Sequence, residues 1–268
     1  MSQAPPPPPE PPPPPPDPPP PPPLPDPPPL PPPDPPYVPG PSFPQPPPQP
    51  SAERVRVAYQ RRNETDYIFG YWSALLWTVL TCGIFGLYVF YQLMRRMRDH
   101  NRRRLELLDA SVAFAWEQAL VQGAGDELRP AFERMSSNLA ALRQLTTEFR
   151  DPAVWTVLHF IGSTIADFIA FYLLDGDLIK HDYSEGAVEA DLAQVYARLG
   201  RPLPAPDPSR VKGKHNYAGR IVATIASLGL YLLWWYHDMF EETNRHFRTN
   251  WVWEDALANA VYSLSSGA

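Results

Sequence analysis

Within the first 50 residues, 33 are proline. Proline fixes its own backbone torsion and lacks an amide donor, so this stretch can enter neither a helix interior nor a sheet. It also has almost no side chains to bury. Residues 1–50 therefore read as a disordered tail that samples polyproline II. At roughly 3 Å per residue, it would span on the order of 150 Å when extended. A stiff soluble spacer is the simplest expectation; the many PxxP registers would also suit a protein partner with an aromatic groove. The opening residues have neither a basic cluster nor an apolar run, so no secretory signal is expected. Of the net charge of −6, the tail supplies −4 through Glu10, Asp17, Asp26 and Asp34. The remainder is too near neutral for a general nucleic-acid binder. The single cysteine, Cys82, excludes an intramolecular disulfide framework and a cysteine-rich zinc site.

Past the tail the composition changes to apolar and aromatic. Tyr67 to Met94 runs 28 residues without a formal charge. As one helix it would measure about 42 Å, against roughly 30 Å for the hydrocarbon core of a bilayer. Pro152 to Leu174 forms a second such stretch, with Asp167 and His159 inside it. Ile221 to Tyr236 forms a third, short one that ends on Trp234, Trp235 and Tyr236, aromatics suited to a headgroup boundary. The expected fold is all-α: integral membrane helices plus a soluble helical hairpin. Bases flank the span ends almost equally on both sides, so they do not orient three crossings. A re-entrant first segment broken at Gly83 and Gly86 is the alternative.

The soluble hairpin is read from two stripes. Met94, Met97, Asn101, Leu105, Leu108, Val112, Ala115 and Ala119 step by three or four. After the break at Gly123-Ala-Gly125, Leu128, Phe132, Met135, Leu139, Leu142, Leu145 or Thr146, and Phe149 repeat in the manner of a coiled coil. Asp182 to Glu185 resembles a capping box ahead of a helix ending near Gly200. Pro202, Pro204, Pro206 and Pro208 follow as a linker, and Trp251 to Leu264 is amphipathic, placed on the bilayer surface or the bundle. The expected division is 1–50 tail, 51–94 first membrane segment, 95–151 hairpin, 152–174 second span, 175–220 amphipathic helix and linker, and 221–268 third segment with a C-terminal helix.

An offset of 143 residues pairs Thr81 with Thr224, Gly86-Leu-Tyr88 with Gly229-Leu-Tyr231, and Asn101-Arg102 with Asn244-Arg245, which suggests an internal repeat. The run Thr81-Cys-Gly83-Ile-Phe-Gly86-Leu-Tyr88, followed by Arg95 and Arg96, resembles the bacterial membrane family called domain of unknown function 4234. The likeness covers roughly residues 67–105 and implies a small integral membrane protein, with no activity attached.

No P-loop, nucleophile elbow, HExxH or CxxC is present, so no catalytic residue, cofactor or metal is expected. His237, Asp238, Glu241, Glu242 and His246 offer metal-ligand chemistry, but a solvated helix face accounts for them more simply. Asp99, His100 and Arg95, Arg96, Arg98, Arg102, Arg103 and Arg104 make a basic collar, read as a site for anionic lipid, with Arg95, Arg96 and Arg98 foremost, or as a topology signal. Within the second span His159, Ser163 and Asp167 share a strip beside Gly162, Ala166 and Ala170, the expected packing face. His159 or Arg220 is the expected partner of Asp167. The functional expectation is a non-catalytic, membrane-anchored interaction or envelope-organising protein of the inner membrane, with the soluble hairpin cytoplasmic. The alternative is a transport accessory or a small homo-oligomeric channel that uses the Asp167 face.

Overall fold

The structure, a computed structural model, describes residues 49–266. The expectations for the proline tail lie outside the described residues. All regular structure among them is helical: α1 (Ser51–Gln60), α2 (Arg62–Thr65), α3 (Tyr71–Leu80), α4 (Ile84–Val121), α5 (Gly125–Thr147), α6 (Pro152–Arg198), α7 (Tyr217–Ala226) and α8 (Leu230–Ser266).

No helix among the described residues is long and apolar enough to cross a membrane. The first and third apolar segments fail because each is cut by a turn. In the first, Cys82 (φ 50°) and Gly83 (φ 92°) leave the right-handed helical region. Gly83 N donates to Thr78 O (2.8 Å), and Phe85 N donates to the Thr81 hydroxyl (2.9 Å). The chain reverses there, and α3 packs back on α4 so closely that a Cβ on Gly86 would lie 3.1 Å from Thr78 Cγ2. Gly83 therefore makes the turn, and Gly86 permits the close approach of the two arms.

The third segment repeats this turn atom for atom. Leu228 (φ 52°) and Gly229 (φ 93°) occupy the left-handed region. Gly229 N donates to Thr224 O (2.8 Å), and Tyr231 N donates to the Ser227 hydroxyl (2.9 Å). The repeat is thus real in geometry, but its register is 146 residues, pairing Gly83 with Gly229 and Thr81 with Ser227. The register of 143 differs by three residues, nearly one helical turn, so the apolar faces still overlap and disguise the slip.

The second segment lies within α6, which Asp151 caps by accepting from Ala153 N (2.9 Å) and Val154 N (3.0 Å), with Pro152 at the first helical position. This helix is not straight. His159 Nδ1 and Asp167 Oδ1 lie 2.6 Å apart, although eight residues of straight helix would separate them by about 12 Å. Arg150 and Asp177 are also in contact, across a span that would measure roughly 40 Å if extended as helix. Both pairs centre on Gly162-Ser163, and a glycine–serine pair is a recognised site of sharp helix bending. The expected span thus doubles back, giving three apolar hairpins in place of three crossings.

From these hairpins α4, α6 and α8 continue into a bundle completed by α1 and α5. α5 runs antiparallel to α4 (Trp116 and Phe132 rings at 4.9 Å) and to the later part of α6 (Arg134–Asp191 at 2.6 Å, Arg198–Glu127 at 3.0 Å). The boundaries expected at 94/95, 174/175 and 220/221 therefore fall inside the helices α4, α6 and α7. The expected capping box at Asp182–Glu185 also falls mid-helix, because the preceding residues are already helical and leave no free amides to cap. Trp253, Leu257 and Val261 are buried in the bundle, which places the C-terminal amphipathic segment there.

Two apolar cores result. One belongs to the hairpins, around Tyr71, Phe90, Met94, Phe171, Leu174, Trp235 and Phe240. The other belongs to the bundle, around Leu107, Phe114, Met135, Leu142, Leu192, Val195 and Leu257. Between them α4, α6 and α8 each present buried polar side chains, and the linker after Gly200 inserts Arg210 among them.

Candidate functional site

The buried polar layer begins with helical spacing on α4. Arg96, His100, Arg103 and Arg104 fall on one face with Met97 and Leu107, and that face points inward. Arg96, expected in a lipid-binding collar, is 1% exposed: its Nη1 donates to Asn244 Oδ1 (2.8 Å), and its guanidinium stacks 4.7 Å from the Phe69 ring. Burial lowers its pKa to about 9. Of the expected collar, Arg95 and Arg102 remain exposed and Arg98 is half-buried, while Arg103 and Arg104 are buried like Arg96.

Arg103 binds Glu254 through both terminal nitrogens (3.0 and 2.8 Å) and Asp66 Oδ2 through Nη2 (2.6 Å). Arg104 donates to Glu254 Oε1 (2.9 Å) and contacts Glu185 and Glu189. Arg210 reaches Glu189 Oε2 (2.7 Å) and Asn250 Oδ1 (3.0 Å). Three guanidiniums thus face four fully buried carboxylates, Asp66, Glu185, Glu189 and Glu254. Burial, helped by the neighbouring Glu185 carboxylate, pushes Glu189 up to about 7 against the pull of Arg104 and Arg210.

Beside this network lie His100, His181, Glu185 and His246, none more than 1% exposed. One nitrogen or oxygen of each falls within 4.8 Å of the others, an arrangement that could hold a metal ion. They come from three helices: His100 from α4, His181 and Glu185 one turn apart on α6, and His246 from α8. His100 Nδ1 sits 3.0 Å from Asp66 Oδ1, yet neither ring nitrogen of His100 has a hydrogen bond of acceptable angle. Burial pushes the His100 pKa down to about 3, so the ring is neutral. Both nitrogens of His181 and Oε2 of Glu185 also lack hydrogen bonds, although His181 Nε2 and Glu185 Oε2 are 3.1 Å apart.

A second group, Asp175, His215 and Glu242, lies among α6, the linker and α8. His215 Nδ1 is 2.7 Å from Asp175 Oδ1, Tyr217 donates to the other Asp175 oxygen, and Lys212 N donates to Glu242 Oε1 (2.6 Å).

The sequence-expected residues are distributed as follows. Asp167 is buried, bound by Tyr236 OH (2.9 Å) and faced by His159, which stacks on Phe90 at 4.3 Å. Both line a cavity of about 240 Å³ with Tyr71, Thr78 and Gly86. Ser163 lies outside the described side chains. Arg220 pairs with Asp238 (2.5 Å) and not with Asp167. Thr81 and Gly83 form the turn, while Tyr88 is half exposed beside Phe85. The supposed solvated face 237–246 divides, with Glu242 and His246 buried in different groups and Asp238 paired to Lys212 and Arg220. Sequence reasoning places His100 in the basic collar and Glu185 in a capping box and passes over His181, yet the 146-residue register pairs His100 with His246 and would draw attention to both. No protein-family model, no curated protein and no solved structure matches the chain.

Proposed function

We propose that this is a non-catalytic, membrane-seated protein that inserts its three helical hairpins into a single leaflet and holds the helical bundle at the surface as a platform for other proteins. One observation carries the reading. Apart from Leu120, Val121, Tyr183, Val252 and Tyr262, every large apolar side chain left exposed among the described residues lies in 67–88, 154–172 or 222–234, the three hairpins. Leu228, at the turn between α7 and α8, is 94% exposed, and Ile161, beside the bend in α6, is 76% exposed. Full burial of such a side chain is worth about 1.5–3 kcal/mol, so a water-exposed array forgoes a large stabilisation that lipid would restore. The ten-residue arms α3 and α7 measure about 15 Å, half the hydrocarbon thickness. The turns suit insertion because the hydroxyls of Thr81 and Ser227 accept backbone amides that hydrocarbon would leave unpaired. Kinship with the domain of unknown function 4234 family is part of the proposal and rests on the Thr81–Tyr88 turn. Asp167 is read as helix-packing glue, since His159 and Tyr236 already engage it.

Flotation with phosphatidylcholine/phosphatidylglycerol vesicles tests the reading. The full chain should float, and so should a chain beginning at Ser51. The triple variant Leu80→Glu, Ile161→Glu, Leu228→Glu should stay in the dense fraction with unchanged helicity, since a charge near the membrane centre costs about 2.5–3.5 kcal/mol. Flotation of the triple variant equal to that of the parent would refute insertion through the tips.

A further inference from the structure

Within the buried polar layer, six polar atoms without a hydrogen-bond partner belong to the histidine cluster. Arg103, Arg104, Arg210 and Asn250 are stitched to carboxylates by hydrogen bonds of 2.6–3.0 Å. Many atoms of the cluster itself are not. Both nitrogens of His100 and of His181, Glu185 Oε2 and His246 Nδ1 are buried without a hydrogen-bond partner. An unmet buried polar atom costs about 1–3 kcal/mol, and a native fold rarely collects several in one place. One nitrogen or oxygen of each of the four residues lies within 4.8 Å of the others, close enough to share a cation.

The ring geometry gives a quantitative check. Imidazoles bind zinc at about 2.0–2.1 Å, which puts three ring centroids on one tetrahedral ion roughly 5–5.5 Å apart. The His100–His246, His100–His181 and His181–His246 centroids are 5.2, 5.7 and 6.2 Å apart, with interplanar angles of 64–74°. We propose that His100, His181, Glu185 and His246 together bind one divalent transition-metal ion, zinc best of all, as a closed structural site that pins α4, α6 and α8 to one another.

The remaining contacts support each ligand. Asp66 Oδ1 lies behind His100 Nδ1, the carboxylate–histidine pairing that orients a ligating ring and leaves Nε2 for the metal. Arg104 and Asn250 hold Glu185 through Oε1, leaving Oε2 free and 3.6 Å from His246 Nε2. Asn250 Nδ2, now 3.2 Å from His246 Nε2, keeps its Glu185 bond when that nitrogen turns to an ion. Three imidazole nitrogens and one carboxylate oxygen suit zinc or ferrous iron and not calcium or magnesium, which select oxygen. Four protein ligands without solvent access leave no open coordination position, so the site ties helices together and activates no water. The Asp175–His215–Glu242 group differs in offering one imidazole against two carboxylates, and its Asp175 is already engaged by His215 Nδ1 (2.7 Å) and the Tyr217 hydroxyl.

The test uses the full chain, expressed with zinc and iron supplied and purified in detergent. Elemental analysis should find one transition-metal ion bound at the cluster per chain. The chelator-treated chain should take up cobalt(II) and show the intense visible bands of tetrahedral coordination. His181→Gln and His246→Gln should each weaken zinc binding by more than the 10–100-fold that follows loss of a supporting partner. His237→Gln, outside the cluster, should bind like the parent. The proposal is overturned if the parent carries no stoichiometric transition metal and gives no tetrahedral cobalt spectrum, or if His181→Gln retains parental affinity. Should the glutamine variants fail to fold, the metal content and cobalt spectrum of the parent decide alone.

Discussion

The hairpin end and the bundle end are made from the same three helices, yet they treat apolar side chains in opposite ways. In the bundle, α1 and α5 cover the outer faces of α4, α6 and α8, and Leu108, Leu192, Val195 and Leu257 are fully buried. In the hairpins each helix has only its own returning arm and its neighbours, so Trp72, Ile84, Ile161 and Leu228 face outward. The hairpins carry long uncharged runs and no covering layer, whereas the bundle helices interleave charged and apolar positions and bury the apolar ones beneath α1 and α5.

The contrast can be broken at several depths. The largest effect belongs to the polar layer that joins the two ends. Arg104→Met removes the guanidinium that Glu185, Glu189 and Glu254 share and leaves Glu185 without one, and should destabilise the chain by about 3–5 kcal/mol in chemical denaturation in detergent. A change below about 1 kcal/mol would mean the carboxylates are neutralised some other way. Next comes the bundle core: Leu257→Ala, at a position with no exposure, should cost about 2–5 kcal/mol. Gly83→Ala and Gly229→Ala each place a side chain at positive φ with nothing within 4 Å, so the penalty is purely backbone, about 1–2 kcal/mol. At roughly 2–4 °C per kcal/mol, this is readable in a thermal melt, and the two variants should match if the two turns are equivalent. The smallest effect belongs to the outward face. Ile84→Ser should shift stability in detergent by less than about 0.5 kcal/mol, because the side chain is 73% exposed. A larger loss would mean that this face is covered by protein.

Helix content and the bundle stripes were legible because apolar spacing of three and four survives any tertiary arrangement: Met135, Leu139 and Leu142 on α5 read correctly as an inward face. The hairpins were half legible. Gly83 signals a break, but a run of 28 uncharged residues fits one crossing equally well, and only the backbone at Cys82 and Gly83 decides. The bend at Gly162-Ser163 left only a weak trace, since both residues are common in packed straight helices. The buried layer was least legible. Charge pattern alone reads Arg96, Arg103 and Arg104 as a solvated collar, because their carboxylate and amide partners lie between 66 and 254 and no local rule joins them.

That separation has a consequence for the order in which the protein is made. Arg103 and Glu254 are 151 positions apart, and His246 follows His100 by almost as many. At 5–20 residues per second, a ribosome leaves the cationic face of α4 without its α8 partners for roughly 8–30 s. During that interval Arg103 has only Asp66, and Arg104 gains Glu185 and Glu189 when α6 is made, while both still lack Glu254. The buried network is therefore completed only when α8 arrives, well after the apolar segment 67–94 has left the ribosome.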